Sequence, residues 1–238
     1  MELTRSVDVD RRTLVLGAAT AAAVGTIGVV GAPDAEAVTY PTLRRGSRGS
    51  SVLTLQRRLN ALGYWCGTAD GSFGRLTQQA VWALQKAAGI PRTGVVASRT
   101  WSALNRRVRP AKRTTSGSAL EVNKSRQLLL VVQDGRLKYI LNTSTGSGER
   151  YYSGGAWHTA RTPTGRFRIY RRISSGWHRA PLGMLYRPVY FTGGYAIHGS
   201  TSIPPYPASH GCCRLSTAAM DVLWREGRVP IGRRVRVY

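Results

Sequence analysis

Apolar residues follow two periods along this chain, and the change falls near residue 105. From Leu43 to Leu104 they recur at three- and four-residue spacing in short blocks separated by glycine, as in helices that each bury one face. The first block predicts a helix over Ser50 to Leu62, with Val52, Leu55, Leu59 and Leu62 inward and Arg57, Arg58 and Asn60 outward, ended by Gly63. A loop with Asp70-Gly71 and Phe73-Gly74 leads to Thr77, the expected cap of a second helix that turns Ala80, Val81 and Leu84 inward. Ser98 is the expected cap of a third, carrying Trp101 and Leu104.

Beyond Leu120 the pattern shortens to β-prone runs at Leu128–Val132, Tyr139–Leu141, Phe167–Tyr170, Val189–Phe191, Tyr195–Ile197 and Val235–Val237. Asp134-Gly135 between the first two is a hairpin signal. One helix is expected there, capped by Ser216 and burying Ala219, Met220, Val222 and Leu223. The Gly-, Ser- and Tyr-rich stretch from Ser144 to Trp157 reads as loop, either solvated or covering a substrate. The chain of 238 residues is therefore expected to be multidomain: a small three-helix module at 43–104, a linker at 105–119 and a mostly-β domain at 120–238, forming two compact units.

Charge narrows the possible surroundings. Lys and Arg number 35 against 11 Asp and Glu, a formal charge of +24, which points to a polyanionic environment. The linker is dense in it, in Arg106-Arg107-Val108-Arg109 and Lys112-Arg113, and reads either as a solvated spacer or as a contact with a polyanion. Nucleic acid is the first such partner to test, and it is not expected. The linker cluster lacks the interleaved aromatics of a single-strand binder, and residues 1–37 read as an export signal. There Arg5, Arg11 and Arg12 precede an uncharged Ala-, Gly- and Val-rich stretch, and Ala35-Glu36-Ala37 has the small-x-small form of a cleavage site. Arg11-Arg12 followed by Thr13-Leu14-Val15-Leu16 resembles a twin-arginine signal. A retained membrane anchor is the competing reading, since about 20 apolar residues span a bilayer.

The candidate chemistry lies between Ile197 and Leu215, where two histidines, a thiol and an arginine fall close together in Ile197-His198-Gly199 and Ser209-His210-Gly211-Cys212-Cys213-Arg214. A thiol attacks as thiolate, so its pKa of about 8.5 must be lowered by a base, a cation or a helix N-terminus. His198, Arg214 and the helix expected after Ser216 offer all three. Gly211 removes bulk beside the thiol and leaves backbone N–H groups free to meet a developing oxyanion. Adjacent side chains of an extended segment point oppositely, so Cys213 is expected to face the core while Cys212 acts. A vicinal disulfide between them is the alternative use of Cys213. Cys66 reads as packing, and His158 and His178 as ordinary surface or core residues. A zinc site is the rival for this cluster, but separated ligand pairs and a nearby acid are missing, so neither metal nor cofactor is expected.

Two resemblances give these readings a setting. Arg45-Gly46, Leu55-Gln56, Leu62-Gly63-Tyr64, Asp70-Gly71-Ser72-Phe73-Gly74, Gln85 and Thr100-Trp101 resemble the peptidoglycan-binding domain 1 family. Residues 120–238, through Thr162-Pro163-Thr164-Gly165 and the two histidine-containing runs, closely resemble the L,D-transpeptidase catalytic domain of the YkuD type. The resemblance implies Cys212 as nucleophile and His198 as base, oriented through the Gly199 carbonyl. His210 and Arg214 would shape the acyl site, Ser209 and Arg214 would contact substrate, and the N–H groups of Gly211 and Cys212 would form the oxyanion site. Cys213 departs from the family, which usually carries an aliphatic residue there. Papain-type peptidases place cysteine before histidine, the reverse of the order here.

The implied activity is transfer of an acyl group from a tetrapeptide stem of peptidoglycan to an amine, through a thioester, by an exported, monomeric protein of the cell wall. Trimming of stems by L,D-carboxypeptidase action and a non-catalytic wall-binding role are the alternatives. Stem peptides and glycan are the expected partners, with anionic wall polymers as the match for the positive charge.

Overall fold

A computed structural model describes residues 40–238, so the export signal expected at 1–37 lies outside the described residues. Three helices come first: α1 (Ser50–Ala61), α2 (Arg75–Ala88) and α3 (Ser98–Asn105). Val52, Leu55 and Leu59 are buried as their spacing predicts, and they pack with Val81, Leu84, Trp101 and Leu104. Two of the expected caps differ. Gly74 occupies the cap of α2 and Ala97 that of α3, neither with a side-chain bond. Thr77 is buried one turn in, where its hydroxyl accepts from Gln56 Nε2 at 3.0 Å. The polar core position won over the capping preference.

Twelve strands and a fourth helix follow. β1 (Ala119–Asn123), β2 (Leu128–Gln133) and β3 (Arg136–Asn142) lead to a hairpin of β4 (Arg150–Ser153) and β5 (Ala156–Thr159), which falls in the stretch expected to be loop. Then come β6 (Gly165–Arg168), β7 (Arg171–Arg172), β8 (Trp177–Ala180), β9 (Gly183–Thr192), β10 (Tyr195–Ser200), β11 (Cys213–Ser216), α4 (Thr217–Arg225) and β12 (Arg234–Val237). One sheet runs β3-β2-β1-β12-β6; the other runs β11-β10-β9-β7, with β8 paired to β9. Both sheets and α4 contribute to one core, in which Leu120, Leu129, Ile197, Leu215, Met220 and Leu223 meet. Ser216 caps α4 as expected, its hydroxyl accepting the Ala219 N–H at 3.1 Å.

The helical module and the β domain also share a core, contrary to the expectation of two separate compact units. Leu129 and Val131 of β2 face the other sheet, whereas Leu128 and Leu130 pack into the helical module with Ile140 of β3. A strand covered on both faces reads as a continuous apolar run, which is why Leu128–Val132 shows no alternation. Lys86 of α2 fastens this contact. It is buried, and its Nζ donates to Gln127 O at 2.8 Å, to Thr143 O at 3.1 Å and to Asn142 Oδ1. Burial pushes its pKa down to about 6, while three oxygens, one for each ammonium N–H, favour the charged form.

The linker is less free than its composition suggests. Thr114 is buried, and the N–H of Arg113 donates to Glu121 Oε2 at 2.9 Å. Glu121, wholly buried at the centre of β1, also accepts from the Thr114 N–H and the Tyr238 hydroxyl. The segment also crosses the β2–β3 turn so closely that a Cβ on Gly135 would lie 2.2 Å from Thr115 O. Asp134 and Gly135 have φ of 49° and 70°, the left-handed pair that a two-residue hairpin of this hand demands.

Candidate active site

The site is built by a strand pairing that sequence order does not announce. β10 and β11 run parallel, with Ile197 opposite Cys213 and His198 opposite Arg214. Side chains alternate along both strands, so Ile197 and Cys213 enter the core together and His198 and Arg214 share the other face. Cys212, one residue before β11, falls on that second face. Cys213 is fully buried, as expected, and burial pushes its thiol pKa far up. Cys212 is half-buried and lines a cleft of about 400 Å³ with His198, Ser209, His210 and Arg214. Structure thus brings together every predicted side chain of the site.

His198 is 3% exposed, and its Nδ1 lies 2.9 Å from Gly199 O. A carbonyl oxygen only accepts, so Nδ1 carries the hydrogen and Nε2 keeps a lone pair. Burial is the main cause that lowers its pKa to about 4, opposed by the Gly199 bond and reinforced by the Arg214 charge. The thiol of Cys212 is raised, chiefly by burial, although the Ala196 N–H at 3.4 Å from Sγ and the Arg214 charge pull it down. Desolvation therefore opposes the cation that the sequence places beside this thiol. The resting pair is a neutral thiol and a neutral imidazole.

The turn before Cys212 is held from within. Ser209 Oγ accepts the Gly211 N–H at 3.0 Å and donates to Cys212 O at 2.6 Å, while Thr162 Oγ1 donates to Gly211 O at 2.7 Å. Ser209 is buried and its hydroxyl is spent inside the loop, so its service there is to shape the turn rather than to offer a free contact. The Gly211 N–H, expected to face an oxyanion, is likewise engaged. Gly211 has φ +133°, and a Cβ would lie 2.5 Å from Tyr195 Cε1, so only glycine fits. Gly199 is similarly enclosed: a Cβ there would lie 2.9 Å from Tyr186 Cδ1.

Several lining residues had no signal in the sequence. Tyr151 of β4 makes an edge contact with exposed His210, ring centroids 4.7 Å apart, and stacks on His158 at 5.4 Å. His158 is thereby tied to the cleft, whereas His178 lies half-buried on β8. Leu182, on the β8–β9 turn, and Met184, at the start of β9, form an exposed apolar wall. The helical module reaches the loop between His198 and Ser209: Arg75 Nη2 donates to Thr201 O at 2.8 Å and Arg92 Nη1 to Pro205 O at 2.9 Å. Cys66 is buried beside Asn60, away from this cleft, with its thiol pushed up to about 12.

Comparison with known proteins agrees with this arrangement. Residues 117–237 match the L,D-transpeptidase catalytic domain family, YkuD, and residues 48–104 match a peptidoglycan binding domain. The crystal structure of an L,D-transpeptidase from Xylanimonas cellulosilytica is 51% identical, with a TM-score of 0.80, covering 84% of this chain and 98% of that one. An N-acetylmuramoyl-L-alanine amidase of Bacillus licheniformis is 47% identical over 68 residues, 28% of this chain; the match spans 19% of the amidase. With its paired histidine and cysteine strands and its helical module, the chain belongs to the YkuD family of L,D-transpeptidase catalytic domains and carries an N-terminal peptidoglycan-binding module.

Proposed function

We propose that this protein is an exported, monomeric cell-wall enzyme that cross-links peptidoglycan through an acyl-enzyme on Cys212. The observation that carries the reading is the parallel register of β10 and β11, which supports joint action of His198, Arg214 and Cys212 in one cleft. The three arginines of residues 1–37, followed by an uncharged Ala-, Gly- and Val-rich stretch, support export.

In the proposed cycle Cys212 Sγ attacks the carbonyl carbon after the third residue of a tetrapeptide stem, as its proton passes to His198 Nε2. The carbonyl oxygen takes the electron pair and the negative charge, near the Cys212 N–H. Collapse breaks the C–N bond, and the leaving amine of the terminal D-residue receives the proton from His198. An acceptor amine then attacks the thioester, gives its proton to His198, and the sulfur leaves and is reprotonated. Arg214 stabilises the negative charge on sulfur at both ends of the cycle. His210, backed by Tyr151, borders the acyl chain, and the helical module holds the enzyme on its glycan.

The test is to incubate the mature protein with a disaccharide tetrapeptide and to record intact mass and products, beside Cys212→Ala and Cys213→Ala. A thioester adduct that disappears only in Cys212→Ala is expected, with dimer as product. Tripeptide alone would make the protein a carboxypeptidase. Absence of any adduct or turnover in the native chain would leave a wall-binding protein.

A further inference from the structure

A second cleft lies elsewhere, on the edge of the first sheet. It has a volume of about 550 Å³ and shares no lining residue with the cysteine cleft. Five arginines line it: Arg113 from the linker, Arg166 and Arg168 from β6, and Arg234 and Arg236 from β12. β6 and β12 are antiparallel, with Arg168 opposite Arg234 and Arg166 opposite Arg236. Val235, Val237 and Phe167 turn into the core, so all four guanidinium groups leave the sheet on one face.

Like charges directly opposite each other destabilise a strand pair, and two such pairs sit side by side here. Among the described residues no ion pair reaches them. Among the described residues the ion pairs are Arg187–Asp221 and Arg228–Glu226, neither of which borders this cleft. Glu121 is the acid nearest in register, opposite Arg236 on β1, and its oxygens are bound by the N–H groups of Arg113 and Thr114 and by the Tyr238 hydroxyl. Some guanidinium groups are braced on the backbone, Arg234 on Ser116 O at 2.6 Å, Arg168 on Gly232 O at 3.0 Å and Arg236 on Arg113 O at 3.2 Å. That bracing fixes their positions and leaves further donors of each fork free.

We propose that this cleft binds a linear polyanion, and specifically a wall polymer whose phosphates are joined by short polyols. Guanidinium forks match phosphate oxygens in pairs. The step between Arg166 and Arg168, and between Arg234 and Arg236, is two strand residues, about 7 Å, the span of a three-carbon bridge between successive phosphates. The cleft is formed partly by the linker, so the polymer lies along the segment that joins the wall-binding module to the catalytic domain.

The test measures binding of the full mature chain to poly(glycerol phosphate) and to a polyuronate of equal length. It compares Arg166→Gln/Arg168→Gln/Arg236→Gln with an equal loss of charge on the helical module, Arg44→Gln/Arg45→Gln/Arg57→Gln. The cleft variant should lose more than about tenfold in affinity for the polyphosphate, and its log–log salt slope should fall by about three, one for each phosphate contact removed. The module variant should lose less than about threefold. Arg166→Gln alone, at a side chain with no hydrogen bond among the described residues, should lose about threefold and serves if the triple variant unfolds. Equal losses in the two triple variants would overturn the proposal, as would tighter binding of the polyuronate than of the polyphosphate. Turnover of a soluble stem peptide should be unchanged in the cleft variant, which keeps this result separate from the reading of Cys212.

Discussion

The two clefts of this protein use ionisable side chains in opposite ways. In the cysteine cleft burial dominates: His198 is pushed down to about 4 and the Cys212 thiol is pushed up, so both rest neutral despite Arg214 beside them. In the arginine cleft Arg166, Arg168 and Arg234 stay exposed, and Arg168 stands directly opposite Arg234 across the strand pair. Burial keeps a group neutral by making its charged form costly, whereas exposure keeps a charge available to a ligand. Proximity of a cation to a thiol is therefore insufficient to predict a thiolate.

Removing the base should have the largest effect. His198→Gln is expected to lower kcat/KM by about 10² to 10⁴ with little change in thermal stability, because one proton acceptor is lost from β10 while Ser209 and Thr162 still hold the turn before Cys212. In the native enzyme the acid limb of kcat/KM should centre near pH 4, since a base with a lowered pKa stays neutral, and competent, until the pH falls that far. A limb near 6.5 would instead mean that the imidazole is solvated during turnover. Alkylation of Cys212 should quicken towards alkaline pH, as for a thiol with no lowered pKa.

A smaller loss follows from disturbing the turn. Gly211→Ala forces a Cβ against Tyr195 and Arg161 O at φ +133°, at a cost of about 1–3 kcal/mol. A drop in melting temperature together with kcat is expected. Unchanged kcat would show that the position of Cys212 does not depend on this turn.

Lys86 asks whether burial alone governs a cation. Lys86→Met removes one donor each from Gln127 O, Asn142 Oδ1 and Thr143 O, of which Gln127 O keeps the Thr143 N–H, and should destabilise the protein by about 1–3 kcal/mol. The pH dependence gives the sign. With its pKa lowered from 10.5 to about 6 in the fold, Lys86 makes the native state less stable as pH falls through that interval, because the unfolded chain takes up the proton first. The stability of the native protein relative to Lys86→Met should therefore rise from pH 7 to pH 9. A constant difference would mean that the three oxygens keep the ammonium charged. The gentlest effect is expected at the arginine cleft, where Arg166→Gln should change stability by no more than about 0.5 kcal/mol while still weakening polyanion binding.

Much of this was legible in one dimension because it depends on local rules. The helical faces of α1 and α2 follow from a period of 3.6, the Asp134-Gly135 turn from the backbone freedom of two residues, and the Ser216 cap from one hydroxyl beside one exposed N–H. The nearness of His198 to a Gly-Cys pair in sequence, and the alternation that sends Cys213 inward, were likewise readable from the chain alone. Tertiary structure decided what depends on distant partners. It moved Thr77 from a cap into the core beside Gln56, allowed Glu121 at the centre of a strand by giving it linker amides, and buried β2 on both faces. It also decided the protonation of the site, because desolvation of a thiol and an imidazole is set by everything packed around them. The cross-strand arginine pairs show the same division: alternation in sequence put the guanidinium groups of each strand on one face, but only strand register set the two rows opposite each other.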